Sequence, residues 1–367
     1  MTGMADTTAG AVLEVDLGAI VANWRALGAR HPSGPVAGVV KADAYGLGAA
    51  AVAPALADAG CRHFFVALPD EALALRPILP AEAMLAVLGG LFPGTEAAFL
   101  AHDITPVLNT LAEIDSWAAA ARRAGRALDA ILHVDTGMSR LGLDPPALAA
   151  LRADPGRLAG IAVRYVMTHL VSSEIPGDPI NAAQARRFAA ACAGLPPAPR
   201  SLANSSGIFL GDAAASDLAR PGAALYGVNP LPGQASPMRA VVRLRARVLA
   251  VRAIAPGDTV GYNATFTATR PSRIATVAIG YADGWRRALS NRFSARFDAA
   301  PVPLVGRVSM DLTTFDATEH PGIVPGAWLD LIGPGCDVDD VAAAAGTNGY
   351  EVLTALGARV RRVYRPA

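Results

Sequence analysis

From about residue 17 to residue 230 the chain alternates short β-like runs with longer helical ones, and this alternation narrows the possible folds more than any other feature. Apolar, β-branched runs at residues 36–41, 62–68, 84–88, 104–108, 128–134, 161–169 and 200–204 predict strands. Around and between them, Ile20, Trp24 and Leu27 share one helical face, and residues 47–59, 71–79, 113–126, 145–152 and 180–194 carry helical patterning. Strands separated by helices run parallel and are buried on both faces, which predicts an α/β fold. Seven or eight such units in about 215 residues suit a (β/α)8 barrel better than a doubly wound sheet.

The texture changes after the Pro/Gly-rich segment NPLPGQASP at 229–237. Residues 241–254, 274–279, 302–308 and 328–332 are β-rich and separated by turn signals such as APGD at 255–258 and GPG at 333–335. A boundary near residue 235 is expected, with the barrel over 1–235 and an all-β domain over 236–367. Residues 11–16 are also strand-like, and on sequence alone they pair with either domain.

Composition removes several function classes. Apolar residues make up 52% and charged residues 17%, too hydrophobic for a disordered chain. With 32 basic against 31 acidic residues the net charge is +1, and both signs are interspersed, which argues against nucleic acid as a main partner. Cys61, Cys192 and Cys336 are odd in number and far apart, so neither a disulfide framework nor a metal site is expected, and a reducing compartment fits. No run of 18 apolar residues suggests a membrane span. The opening MTGMADTTAG lacks the basic and apolar regions of a signal peptide, and a cytoplasmic location is expected.

Of the 32 basic residues, 31 are arginine and one, Lys41, is lysine. Lysine can lose its proton and act as a nucleophile or Schiff-base partner; arginine effectively cannot. Lys41 ends a predicted barrel strand, and in such barrels the C-terminal strand ends form the active-site face. Burial against the strand lowers an amine's pKa. On the residues alone, this reading and that of a strand-end lysine reaching solvent weigh equally. Tyr45, Gly46 and Gly48 follow at once, in a turn before a helix that can hold an anion.

The segment VVKADAYGLG at 39–48 resembles the cofactor-lysine motif of alanine racemases. Matching segments follow in order: HVDTGMSRLG at 133–142, MTHL at 167–170, ANS at 203–205 and ARPGAALYG at 219–227. The second domain adds VGYNA at 260–264, IGYADGW at 279–285 and VGRVSMD at 305–311. The resemblance covers residues 11–364, and the ordered set is far more specific than any one motif.

The resemblance implies a barrel plus β-domain enzyme that uses pyridoxal 5′-phosphate, bound as a Schiff base to Lys41. It implies interconversion of L- and D-alanine, supplying D-alanine for peptidoglycan, in a homodimer with shared active sites. Lys41 and Tyr262 of the partner subunit would be two catalytic bases on opposite faces of the substrate, an arrangement that inverts Cα. His169 would contact that tyrosine, whose ordinary pKa is near 10. Arg220 would meet the pyridine nitrogen and, unable to give up a proton, keep it unprotonated. Tyr45, Ser205, Gly222 and Ala223 would grip the phosphate, with Asn204 and Tyr226 beside them. Arg140 and Met310 would orient the substrate carboxylate, and Tyr281 and Asp311 would line the entrance. Tyr262, Tyr281 and Met310 would leave room for little more than a methyl side chain.

Three positions depart from the family pattern. His133 stands where many relatives carry a carbamylated lysine that braces the arginine matching Arg140. Another anion is therefore expected at Arg140, either Asp135, a neighbouring carboxylate or a bound chloride. Ser309 replaces a cysteine, and Ala358 aligns with a phosphate-side tyrosine. The nearest alternative activity is a serine or broad-specificity racemase. A barrel-type decarboxylase would be expected to place a carboxylate where Arg220 stands, and a cofactor-binding regulatory protein of this kind would lack residues 236–367.

Overall fold

The computed structural model describes residues 8–367. Most of the N-terminal segment read above for a leader therefore lies outside the described residues. The chain enters through β1 (Ala11–Asp16) and the helix Leu17–Arg30, whose first turn is capped by the Asp16 carboxylate accepting from Ala19 N at 2.7 Å. Seven strands then form one parallel sheet in chain order. They are β2 (Gly38–Val39), β3 (His63–Val66), β4 (Met84–Val87), β5 (Thr105–Leu108), β6 (Leu128–His133), β7 (Ile161–Met167) and β8 (Arg200–Ser201).

The sheet curls until its ends meet. The extended residues 218–221 sit between β8 and β2: Leu218 N donates to Arg200 O at 3.2 Å, and Ala37 N donates to Ala219 O at 2.9 Å. Val36 pairs with Ala219 in parallel, so this stretch acts as the eighth stave. Ala37, Val39, Phe65, Ala86, Val107, Ile131, Met167 and Leu218 fill the interior, the packed core expected of a (β/α)8 barrel. The expected helices appear as Ala49–Asp58, Pro69–Leu75, Leu111–Ala124, Pro145–Ala153 and Pro179–Cys192, joined by the short Glu96–Ala101 that the sequence reading passed over.

The C-terminal part is built on β9 (Val242–Ile254). Val242, Leu244, Ala246 and Val248 are buried while Arg243, Arg245 and Arg247 between them are not, the period-two pattern of a strand with one face inward. β1 pairs antiparallel with β9 and parallel with the last strand, Arg361–Arg365, so residues 11–16 belong to this sheet and not to the barrel. Glu14 explains the choice: its mostly buried carboxylate bonds both Arg245 and Arg365, one from each neighbouring strand. The domain is not all-β. Helices Val338–Ala345 and Gly349–Ala355 are capped by Asp337 and Asn348, and the second reaches the barrel mouth.

All three cysteines are unpaired. Among the described residues no helix is long and apolar enough to cross a membrane, and no group of three or more His, Cys, Asp or Glu side chains is placed to hold a metal ion.

Candidate active site

A cavity of about 650 Å³ opens at the C-terminal ends of the barrel strands. Lys41, Tyr45, Arg140, His169, Asn204, Ser205, Arg220, Gly222 and Ala223, scattered over more than 180 positions in sequence, all line it.

Lys41 follows β2, and the backbone after it is unusual. Ala42, Asp43, Ala44 and Tyr45 have φ of 53°, 54°, 51° and 56°, four consecutive non-glycine residues in the left-handed region. Such a turn costs about 1–2 kcal/mol per residue, so the surroundings must hold it. Glu71 accepts from Ala42 N at 2.5 Å, Asp43 accepts from Ala49 N at 2.7 Å, and Arg362 donates to Gly46 O at 2.8 Å. Gly48 sits at φ 101°, and a Cβ there would lie 1.9 Å from the Tyr364 hydroxyl. Neither Gly46 nor Gly48 lines the cavity: the space at Gly46 admits Leu353 and Thr354 of the helix Gly349–Ala355 and that at Gly48 admits Tyr364 of the last strand, so of the turn expected to hold an anion only Tyr45 faces the cavity.

Burial lowers the Lys41 pKa, the Arg140 guanidinium lowers it further, and Glu71 opposes both. Arg220 is buried; it donates to Ser201 Oγ and, at 2.6 Å, to Thr168 O, and burial brings its pKa down to about 10. It stays charged at neutral pH.

The same cavity holds a small polar cradle. Ser205 Oγ accepts from Gly222 N at 3.0 Å and Ala224 N at 3.2 Å, gathering two backbone donors at the cavity wall. Gly222 is required by closeness: a Cβ there would fall 2.1 Å from the Tyr45 hydroxyl. Burial, with Tyr350 nearby, pushes Tyr45 up to about 12, so its hydroxyl keeps its proton at neutral pH. Helix capping falls to Asn204, which accepts from Gly207 N at 2.8 Å, and leaves Ser205 facing the cavity. Tyr226 does not line it. It is fully buried, donates to Val39 O at 2.9 Å, and supports the Tyr45 ring at a centroid distance of 4.8 Å.

His133 and His169 stand near the cations. Burial, then Arg220, lowers His133 to about 4 and His169 to about 3, and Arg140 adds to both. Both are neutral at pH 7. His133 Nδ1 bonds Asn109 Oδ1 at 2.7 Å, and Asn109 Nδ2 donates to Val107 O at 2.9 Å. That orientation makes Nδ1 the protonated nitrogen of His133 and Nε2 the acceptor. A neutral His133 does not repel Arg140. Asp135, expected as a partner for Arg140, instead accepts from the backbone N–H groups of Gly137, Met138 and Ser139 in its own loop. No ion pair joins Arg140 to a carboxylate among the described residues.

The lowered histidine pKa values make stability pH-dependent. The unfolded chain takes up protons below its ordinary histidine value of 6.5, while folded His133 resists until about 4, so stability falls as pH falls through that window. Between neutral pH and roughly pH 5 the loss from one such group is about 2 kcal/mol. Thermal melts should show Tm dropping over that range, and His133→Asn should flatten the slope. A slope unchanged by that substitution would assign the acid sensitivity to other groups.

The remaining site candidates are not brought to this cavity within one chain. Tyr262, Tyr281 and Met310 are 68%, 45% and 54% exposed on the C-terminal domain. Tyr281 N donates to Ser309 O, fixing Tyr281 beside Met310. Asp311 pairs with Arg359 at 2.8 Å. The cavity also takes residues that the sequence reading missed, among them Glu174, Asn348 and Tyr350. Ala358 lies in an exposed turn away from the cavity, whereas Tyr350 lines it near Tyr45, so the alignment of position 358 with a phosphate-side tyrosine is corrected. The N-x-x-E spacing of Asn348 and Glu351 was the available signal, since it marks a helix start inside a region read as all-β.

The family model described as "Alanine racemase, N-terminal domain" matches residues 15–230, and "Alanine racemase, C-terminal domain" matches residues 241–364. Alanine racemase of Acidiphilium cryptum is 58% identical over 96% of this chain and 98% of its own, and that of Rhodospirillum rubrum is 53% identical over 96% of each. The crystal structure of alanine racemase from Bartonella henselae with covalently bound pyridoxal phosphate is similar with a TM-score of 0.94 and 42% identity, covering 97% of this chain and 100% of that one. With both halves of the chain matched to the same family and full-length relatives above half identity, the chain belongs to the alanine racemase family.

Proposed function

We propose that this chain interconverts L- and D-alanine with pyridoxal 5′-phosphate as cofactor. The carrying observation is the convergence on one cavity of a partly desolvated amine, a buried guanidinium and a polar cradle. These fit the cofactor by chemistry: Lys41 for its aldehyde, Arg220 for its ring nitrogen, and Ser205, Gly222, Ala223 and Tyr45 for its phosphate. His169 and Asn204 are proposed as further cofactor neighbours on the cavity wall.

The bound cofactor supplies an electron-withdrawing ring that makes the α-proton of an attached amino acid removable. The chain's own groups do the rest. Lys41, its pKa lowered by burial and Arg140, takes or returns a proton on one face of Cα. Tyr262 of the partner subunit serves the opposite face. Arg140 offers its guanidinium to the substrate carboxylate. Arg220, charged and buried, would face the ring nitrogen as a donor that cannot give up its proton, which would leave that nitrogen unprotonated and moderate the ring's electron demand.

The dimer is part of the proposal. It is supported by the exposed Tyr262, Tyr281 and Met310, aromatic and apolar side chains that a second copy would cover and use. Met310 and Asp311 are then substrate-side residues of the shared site. Residues 1–235 act as the cofactor-binding unit and 236–367 as the unit serving the neighbouring site. Supply of D-alanine for peptidoglycan in the cytoplasm is the proposed setting, in keeping with three unpaired cysteines.

A racemisation assay over a panel of L-amino acids, with the cofactor absorbance recorded alongside, tests the reading. Alanine should be turned over fastest. Equal or faster turnover of serine would replace the substrate assignment, and absence of the absorbance would remove the cofactor.

A further inference from the structure

We propose that Glu71 is a positioning residue for the reaction at Lys41, its carboxylate clamping the left-handed turn that aims the amine into the cavity. The inference rests on reading Lys41 as the reactive amine. The turn begins at Ala42, the residue bonded to Lys41, so the direction in which the lysine side chain leaves the backbone depends on whether that turn persists. One Glu71 oxygen accepts from Ala42 N at 2.5 Å; the other accepts from Ala67 N at 2.7 Å and Leu68 N at 3.0 Å. Ala67 and Leu68 follow β3, so a single carboxylate ties the residue after Lys41 to the end of the neighbouring barrel strand. Within the turn Ala44 N donates to Val40 O at 2.9 Å and Gly46 N to Ala42 O at 2.8 Å, and the other side-chain ties lie farther along, at Asp43 and Gly46; Glu71 is the side chain that links the turn at Ala42 to the next strand. Ala42 sits at φ 53°, ψ 48°, a conformation that an alanine leaves unless it is held.

Glu71 also stands in the first turn of the helix Pro69–Leu75, so helix capping alone is the competing account. A comparison with a second capping carboxylate separates the two. Asp337 accepts from Asp339 N and Asp340 N, both at 2.9 Å, at the start of Val338–Ala345, and makes no contact with the Lys41 turn.

Glu71→Gln, Glu71→Ala and Asp337→Ala are made in the full chain. Three quantities are read: the rate at which the cofactor-stripped chain captures pyridoxal phosphate, kcat and KM in both directions, and Tm. A displaced reacting group costs about 10- to 100-fold in rate. Both Glu71 variants are therefore expected to slow capture and lower kcat by about tenfold or more with KM changed less than about threefold. Asp337→Ala should lower Tm while leaving capture and kcat within about twofold of the parent. Glu71 variants that lose only Tm, as Asp337→Ala does, overturn the proposal. The isosteric Glu71→Gln keeps the test decisive if Glu71→Ala fails to fold. Failure of the Lys41 reading is seen separately, as cofactor capture that survives Lys41→Arg.

Discussion

Lys41→Arg is expected to abolish covalent cofactor capture and to lower racemisation by about 10⁴-fold or more, because one substitution removes both the attachment point and a base. Arginine places a fixed cation at the position, so a role that needs only a positive charge there would survive the change. What is lost is the ability to release a proton. The guanidinium holds its proton above pH 12, and in this cavity it would join Arg140 and Arg220 as a third fixed cation. The structure gives Lys41 the opposite tendency, with burial and Arg140 both favouring the neutral amine. The measurements are the visible absorbance of the cofactor-treated chain and the rate of optical rotation change with alanine. Persistence of either at the parental level would overturn the assignment of Lys41 to both roles.

Tyr262→Phe carries the second-largest expected effect, about 10²- to 10⁴-fold, the range for removing one general acid–base group. The two alanine enantiomers have equal free energy, so overall racemisation must slow equally in both directions whichever base is lost. The asymmetry appears in solvent exchange. With one base intact, the α-hydrogen of one enantiomer should still wash out into labelled water, while that of its mirror image slows. Equal slowing of both washouts would count against bases on two faces. The same variant tests the shared site, since Tyr262 is 68% exposed and lies outside the Lys41 cavity of its own chain. Mixing inactive Lys41→Arg and Tyr262→Phe chains should recover about a quarter of parental activity, because half the dimers are then hybrids and each hybrid has one intact site. No recovery, with hybrids demonstrably formed, would put Tyr262 in its own subunit's site or outside catalysis.

The parts of this molecule that were legible from sequence are those with a local signature. The β/α alternation gives the barrel because each run must bury its apolar face on its neighbours, and that requirement is written into every segment between residues 17 and 230. Lys41 stood out because the chain has no other lysine, and Arg220 because a motif surrounds it. The residues missed are those whose role comes from contacts distant in sequence. Glu71 looked like an ordinary first-turn acid of a helix, and only the approach of Ala42 N gives it a second task. Tyr350 sits in a domain expected to be all-β, beyond its last expected strand, and it reaches the cavity because the helix Gly349–Ala355 lies at the barrel mouth.

β1 marks the same boundary. Its strand character was plain, but its partner was not, since hydrophobic alternation specifies a face and not a neighbour. The ion pairs from Glu14 to Arg245 and Arg365, 231 and 351 positions away, settle that choice. By itself, then, the sequence determined the β/α order of the barrel, the candidate amine and the family resemblance, all encoded by short-range pattern and residue chemistry. The tertiary structure alone decided the left-handed turn after Lys41, the neutral state of His133 and His169, and which side chains share the cavity. Those depend on burial and on charges brought together by folding, which have no value until the chain has closed around them.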